Sequence, residues 1–360
     1  MKAIIAVGGK GTRLLPLTYS TNKQMIPIAN KPLLMYPLQN VIDAGIKEVA
    51  LIVNETRPAV EEYLGDGSKL GIKITYIDQS APLGLAHVVK ISEEFLAGEP
   101  FVYLLGDNIF TSGIKKPLAH FVDSKADAVL SIVEHADNFR LGVPFFDNDG
   151  KLIEVVEKPA NPPNRFGVPG MYMFTSKVFE AFKGKDAIKP SARGEYEIVD
   201  LYNYMLKHGM NVEVAEIEGH WRDPGKFGDA LETNKLLLEL NPRTEIKGEV
   251  DRDSKLMDGV VLGKGSKVIN SQIMGPVIIG ENVEIRNSFI GSYTAIGNDC
   301  ELVNCKIEYS ILLQDVHITD VKGKIEGAMI GNHTEIATTK QLAPSYSFMV
   351  ADHCRIALPF

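Results

Sequence analysis

The chain has 360 residues, with 46 acidic against 38 basic side chains, a formal charge of −8 and three cysteines. General nucleic-acid binding wants a basic face and is not expected of it. Three thiols build no disulfide scaffold, so a cytoplasmic setting is expected. The length allows two domains. Lys2 to Val7 is too short to cross a membrane and lacks the basic region and cleavage site of a signal peptide, and no apolar run of about 18 residues follows.

In chain order, "KAIIAV" is a short β-rich run that stops at glycines. "PLLMYPLQNVIDAGI" has helical spacing and ends at Gly45, "EVALIVN" reads as a buried strand, and "RPAVEEYLGDG" as a helix stopping at Gly65. "KITYIDQ" is a strand, "LAHVVKISEEFL" a helix and "FVYLLGDN" a strand. Short apolar strands separated by amphipathic helices predict an α/β, Rossmann-like, mostly parallel sheet covered on both faces. Ligands on such sheets sit outside the carboxyl ends of the strands. The first glycine loop, Gln79 and Asp107 all follow a strand directly.

From about residue 245 helical periodicity disappears. An apolar residue recurs every five or six positions, at Ile279, Ile285, Ile290, Ile296, Leu302, Ile307, Leu313 and Ile318. Two residues before each stands a small or branched one, among them Ser288, Thr294, Cys300, Cys305 and Ile311. That double register predicts a short left-handed parallel β-helix of hexapeptide repeats with both marked positions inward. Cys300 and Cys305 then fill space as compact apolar groups. "LELNPRTEIKGE" reads as the junction, giving expected limits of 1–240, 241–340 and a tail at 341–360.

Several side chains are candidates for chemistry. "GGKGTR" is neither GxxxxGK[ST] nor GxGxxG. Its glycines let backbone N–H groups approach an anion, Arg13 can fork onto phosphate oxygens and Lys23 adds a point charge. A tight turn with surface cations is the competing reading. Asp107 in "LLGDNIF" suits Mg²⁺, which takes one or two carboxylates plus phosphates; a capping role competes. Asp223 in "WRDPG" is a second metal candidate in strong turn chemistry. In "VVEKPANPP" Glu157 can accept from hydroxyl groups and Lys158 can meet a phosphate, or the two form a surface ion pair. Arg193 is a further phosphate clamp or a solvated residue. His87, His120 and His135 have no evident partners.

"GGKGTRLLPLT…NKQMIPIANKPLLMYPL", "DQSAPLGLAHV", "LLGDNIF", "EKP" and "WRDPG" stand in the order found in sugar-1-phosphate nucleotidylyltransferases. The chain most resembles the long-form glucose-1-phosphate thymidylyltransferases, which carry a C-terminal β-helix. The resemblance implies transfer of a nucleoside monophosphate from dTTP, or UTP, to glucose 1-phosphate or another sugar 1-phosphate, with Mg²⁺ and release of pyrophosphate. It implies that Gly8, Gly9, Gly11, Thr12 and Arg13 wrap the triphosphate and that Lys23 meets the transferring phosphate. Gln79 would read the pyrimidine edge with Gly84 against the base, and Asp107 and Asp223 would bind the metal. Glu157 and Lys158 would contact the sugar phosphate, in a subsite also lined by Gly142, Gly170 and Arg193. Arg13, Lys23 and Lys158 are the expected charge-stabilising groups.

Two positions depart from the family pattern: Leu83 where short forms carry an acid, and Pro224 after the second metal aspartate. Leu83 and Leu85 could wall a thymine methyl. The β-helix is expected to be architectural and to support a homo-oligomer. Acyl transfer by the β-helix, or a catalytically silent regulatory subunit, are the alternatives; the silent subunit would be expected to lose Arg13, Lys23 or a metal aspartate.

Overall fold

The structure, a computed structural model, describes residues 1–9, 11–338 and 354. Apart from Cys354, the expected tail at 341–360 lies outside the described residues. Two compact units form. One takes the start of the chain and Leu33–Asp223; the other takes Gly11–Pro32 and the chain from Pro224 on.

The first unit is built on strands whose β-branched and aromatic residues suit a sheet buried on both faces. They are β1 (Lys2–Ala6), β2 (Glu48–Val53), β3 (Lys73–Asp78), β4 (Phe101–Leu105), β5 (Ile109–Phe110), β6 (Ala128–Glu134), β7 (Gly142–Phe146), β8 (Leu152–Glu157), β9 (Phe166–Gly167), β10 (Met171–Phe174), β11 (Val212–Glu216) and β12 (Trp221–Arg222). Among the described residues the main sheet runs β9-β6-β10-β4-β1-β2-β3, with β11 beside β6. Strands β4, β1, β2 and β3 are parallel neighbours, so their carboxyl ends emerge on one edge. Strand β10 runs antiparallel to β4 and β6, which makes the sheet mixed. Ile4, Ile52, Tyr103, Leu130, Phe174 and Tyr202 belong to its core; each such side chain, fully buried, contributes roughly 1.5–3 kcal/mol.

The expected helices are present as α1 (Met35–Asp43), α2 (Arg57–Leu64), α3 (Leu85–Ile91) and α4 (Glu93–Leu96). The single helix expected over "LAHVVKISEEFL" is broken in two. Buried Ser92 donates its Oγ–H to the Val88 carbonyl at 2.8 Å, a back-bond that competes with the helix ladder. Further helices are α5 (Lys115–Ser124), α6 (Ile198–Lys207) and, in the second unit, α7 (Phe227–Leu240).

The second unit carries the left-handed parallel β-helix, with three ladders of short parallel strands forming its sides. Leu262, Ile279 and Ile296 stack at 17-residue intervals, but the next in line is Leu312, not the expected Leu313. One residue is missing from that coil, so the small inward position falls on Ser310 in place of Ile311; Leu313 is buried as well. At the corners Asn270, Asn287 and Asn304 take the left-handed backbone that Asn tolerates. Asn270 donates to the Asn287 side chain at 2.7 Å. Cys300 and Cys305 are inward fillers, and burial pushes the Cys300 thiol up to about 11.

The Gly11–Pro32 segment joins this unit through buried Asn234 of α7. Its Oδ1 accepts from Ala29 N–H at 2.9 Å and its Nδ2 donates to the Tyr293 carbonyl at 3.0 Å. Asn30 Nδ2 donates to the Ile296 carbonyl at 2.6 Å. No described helix is long and apolar enough to cross a membrane.

Candidate active site

In the first unit three groups of candidate residues gather around the parallel strand ends. Gly8 and Gly9 follow β1, which extends by one bond from Val7 N–H to the Ile52 carbonyl at 2.8 Å. Gln79 follows β3, its N–H bonded to the Val53 carbonyl at 2.7 Å. Asp107 follows β4 beyond Gly106, whose N–H meets the Ala6 carbonyl at 2.8 Å.

Around Gln79 the chain folds back on itself. Gly84 has φ +96°, and a Cβ there would lie 2.5 Å from the Tyr196 carbonyl oxygen; only glycine suits such a place. The close approach is tied by Tyr196 N–H to the Leu83 carbonyl at 2.8 Å and Ala86 N–H to the Tyr196 carbonyl at 3.0 Å. Gln79 Nε2 lies 3.3 Å from the Gly84 carbonyl and 3.1 Å from His87 Nδ1. His87, read from sequence as lacking a partner, therefore has one. Its ring also stacks on Tyr196, 6.4 Å between centroids. Burial, and then Lys90, lower its pKa, which keeps Nδ1 able to accept.

Asp107 and Asp223 are brought together by a short antiparallel ladder. Strand β5 pairs with β12 in the register Phe110 with Trp221 and Ile109 with Arg222. One step further sets Asp223 opposite Asn108, next to Asp107. Asn108 is buried and links the elements: Trp221 Nε1–H donates to its Oδ1 at 2.6 Å, and its Nδ2 donates to Asp107 Oδ1 at 2.9 Å. His135, also expected to lack a partner, meets the Trp221 ring edge-on at 5.4 Å. Among the described residues no group of three or more metal-type side chains is arranged to hold an ion. Two carboxylates on adjoining strand ends fit Mg²⁺, which completes its shell with water and phosphate oxygens. They do not fit a cation that needs an all-protein cage.

On β8, Glu157 pairs with Gly142 of β7. Its Oε1 lies 2.9 Å from Lys158 Nζ and 3.5 Å from Arg193, which also meets Glu197 at 2.8 Å. The surface ion pair considered from sequence is thus present. Both cations are half-exposed, so these pairs add little stability and leave the cations accessible. Lys158 holds φ +48° directly before a proline, a strained state costing about 1–3 kcal/mol. Burial, then Glu197 and Glu157, raise the Asp200 carboxyl above its usual range. Gly170 precedes β10 and bonds to Leu105 N–H at 2.9 Å.

The rest of the opening motif belongs to the second unit. Gly11 has φ +58°, and a Cβ there would meet Thr18 Cγ2 at 2.8 Å. Its carbonyl accepts from Leu14 N–H and Thr18 Oγ1, both at 2.9 Å. That turn leaves Thr12 and Arg13 exposed, whereas Lys23 is buried at 6% exposure.

Residues 2–239 match the family model described as nucleotidyl transferase. The chain belongs to the nucleotidyl transferase family. It is 40% identical to a glucose-1-phosphate thymidylyltransferase of Streptomyces antibioticus over 99% of both chains. Among solved structures it is similar to a Bacillus anthracis protein assigned as a glucose-1-phosphate thymidylyltransferase and solved with sucrose. That likeness has a TM-score of 0.62 and 34% identity, over 67% of this chain and 96% of that one. A UDP-glucose pyrophosphorylase solved with UDP-glucose shares the fold at TM-score 0.59 and 22% identity, over 67% of this chain and 99% of that one. In this nucleotidyl transferase, sequence reasoning missed Asn108, Tyr196, Glu197 and the partner of His87. Tyr196 and Asn108 act through contacts between distant segments, whereas Glu197 meets Arg193 four residues away and His87 meets Gln79 eight residues away, so those two carried a local signal, as did the adjacency of Asn108 to Asp107.

Proposed function

We propose that this nucleotidyl transferase transfers thymidylate from dTTP to glucose 1-phosphate, giving dTDP-glucose and pyrophosphate. The observation that carries the reading is the β5–β12 register, which sets Asp223 opposite the neighbour of Asp107. The full-length likeness to a glucose-1-phosphate thymidylyltransferase supports the choice of substrates. The family match over residues 2–239 supports a catalytic domain at 1–240; the β-helix at 241–340 is proposed as an architectural part of a homo-oligomer.

The sugar phosphate oxygen attacks the α-phosphorus in line and pyrophosphate leaves, without a covalent enzyme intermediate. Mg²⁺ held by Asp107 and Asp223 would supply charge neutralisation on the phosphates. Gly8, Gly9, Gly11 and Thr12 offer backbone and hydroxyl donors to the triphosphate. Arg13 and Lys23 stabilise its transferring phosphate, a role supported for Lys23 by a buried setting. Lys158 and Arg193 take up the sugar phosphate, and Glu157 accepts from sugar hydroxyls beside Gly142 and Gly170. Gln79 reads the base, with Gly84 against it.

A pyrophosphate-release panel tests this, crossing dTTP, UTP, CTP, ATP and GTP with glucose-, galactose- and N-acetylglucosamine-1-phosphate. Fastest release with dTTP and glucose 1-phosphate is expected. UTP is the second reading, because thymine and uracil share the imide that Gln79 faces. Activity confined to purine nucleotides would overturn the role of Gln79.

A further inference from the structure

We propose that His87 is a positioning residue that sets base choice by fixing which atom of the Gln79 amide faces the nucleotide. The inference rests on the reading of Gln79 as the base contact. The Gly84 carbonyl is an acceptor only, so the amide atom 3.3 Å from it must be the NH₂ nitrogen. The same nitrogen meets His87 Nδ1 at 3.1 Å. Both of its hydrogens are then committed inward, one to each partner. The amide has left only Oε1, an acceptor, to offer outward.

An outward acceptor placed opposite N3 selects a base with a donor at that atom. Thymine and uracil present N3–H there. Cytosine presents a bare N3, and its lone pair would face that of Oε1. With Oε1 opposite N3, the pair therefore favours imide pyrimidines over cytosine, whose only pairing-edge donor is its 4-amino group. Without His87 the amide keeps one long bond to Gly84 and can turn to give its NH₂ to a cytosine N3. His87 is held for this task by its stack on Tyr196, and the Tyr196 backbone in turn grips Leu83 and Ala86 on either side of Gly84.

The test is calorimetric titration of the full chain with dTDP, UDP and CDP in the presence of Mg²⁺. Three proteins are compared: the native chain, His87→Leu, which keeps bulk against Tyr196 but has no acceptor, and His87→Asn, which keeps an acceptor near the position of Nδ1. The native chain should bind dTDP and UDP well above CDP. His87→Leu should narrow the dTDP-to-CDP ratio by about tenfold, the worth of one oriented hydrogen bond. His87→Asn should hold it near native. An unchanged ratio in His87→Leu, or equal narrowing in both variants, would overturn the proposal. A native chain that does not prefer dTDP over CDP would instead overturn the reading of Gln79 itself.

Discussion

The sheet unit and the β-helix hold their side chains by opposite means. In the β-helix an inward residue has a like neighbour one coil above and one below, as Ile285 has Val268 and Leu302. In the sheet unit each candidate site residue has a partner of its own: Asn108 for Asp107, His87 for Gln79, Arg193 for Glu157. Repetition spreads the consequence of a change over stability. A unique contact concentrates it on chemistry.

The largest effect should come from the two carboxylates proposed to hold Mg²⁺. Asp107→Asn and Asp223→Asn each remove one charge-stabilising element, and losses of about 10²–10³ in turnover are expected. Unfolding curves should stay close to native, because both carboxylates sit at strand ends outside the core. Near-normal turnover in either variant would remove that residue from the metal site. In the β-helix the sign of the comparison reverses. Ile285→Ala empties a fully buried position and should cost about 2–5 kcal/mol in denaturant unfolding. Turnover measured well below the melting temperature should change by less than a few-fold.

The same contrast decides what the sequence made legible. The β-helix could be read from its period, because every inward position repeats the same physical demand. Its one slip, Leu313 for Leu312, came where a coil is a residue short and strict counting fails. Up to β4 the order of strands and helices was legible from hydrophobic periodicity, apart from the break at Ser92. The candidate site was legible as residue types after strands. What held those residues was not, because Tyr196 reaching Gly84, or Trp221 reaching Asn108, depends on loops more than 100 residues apart in sequence. The division of "GGKGTR" between two units was equally hidden. It follows from packing of Gly11–Pro32 with α7 and the coils, which no local pattern announces.

A smaller effect is expected one contact away from the proposed metal site. Asn108→Ala removes both the donor to Asp107 and the acceptor for Trp221. Loss of such an outer partner costs about 10–100-fold in metal affinity or activity. The half-saturating Mg²⁺ concentration should rise accordingly. Trp221 is the only tryptophan, so its emission reports the same event directly. Trp221→Phe, which keeps an aromatic ring but loses the indole N–H, should raise the Mg²⁺ requirement less. If Asn108→Ala lowers stability but leaves the Mg²⁺ dependence unmoved, Asn108 is a packing residue and the contrast with the β-helix blurs.

The smallest effect is one of pH on base choice. Burial first, and Lys90 second, hold the His87 pKa below 6.5. Above that pH the ring is neutral and Nδ1 accepts from Gln79. As pH falls through the lowered pKa, Nδ1 gains a proton and becomes a donor facing the Gln79 NH₂. Two donors then oppose each other and the amide loses its anchor. Lys90 is the charged neighbour and the Tyr196 ring the stacked one; neither supplies a carboxylate to hold the imidazolium. The dTDP-to-CDP affinity ratio should therefore be flat from pH 8 to 6.5 and fall by less than about tenfold below it. His87→Asn has no proton to gain and should stay flat throughout. A native ratio that is equally flat to pH 5.5 would mean that the ring is not protonated there or that Gln79 is held without it. Binding of CDP to His87→Leu separates the two, because only the second leaves that variant as selective as the native chain.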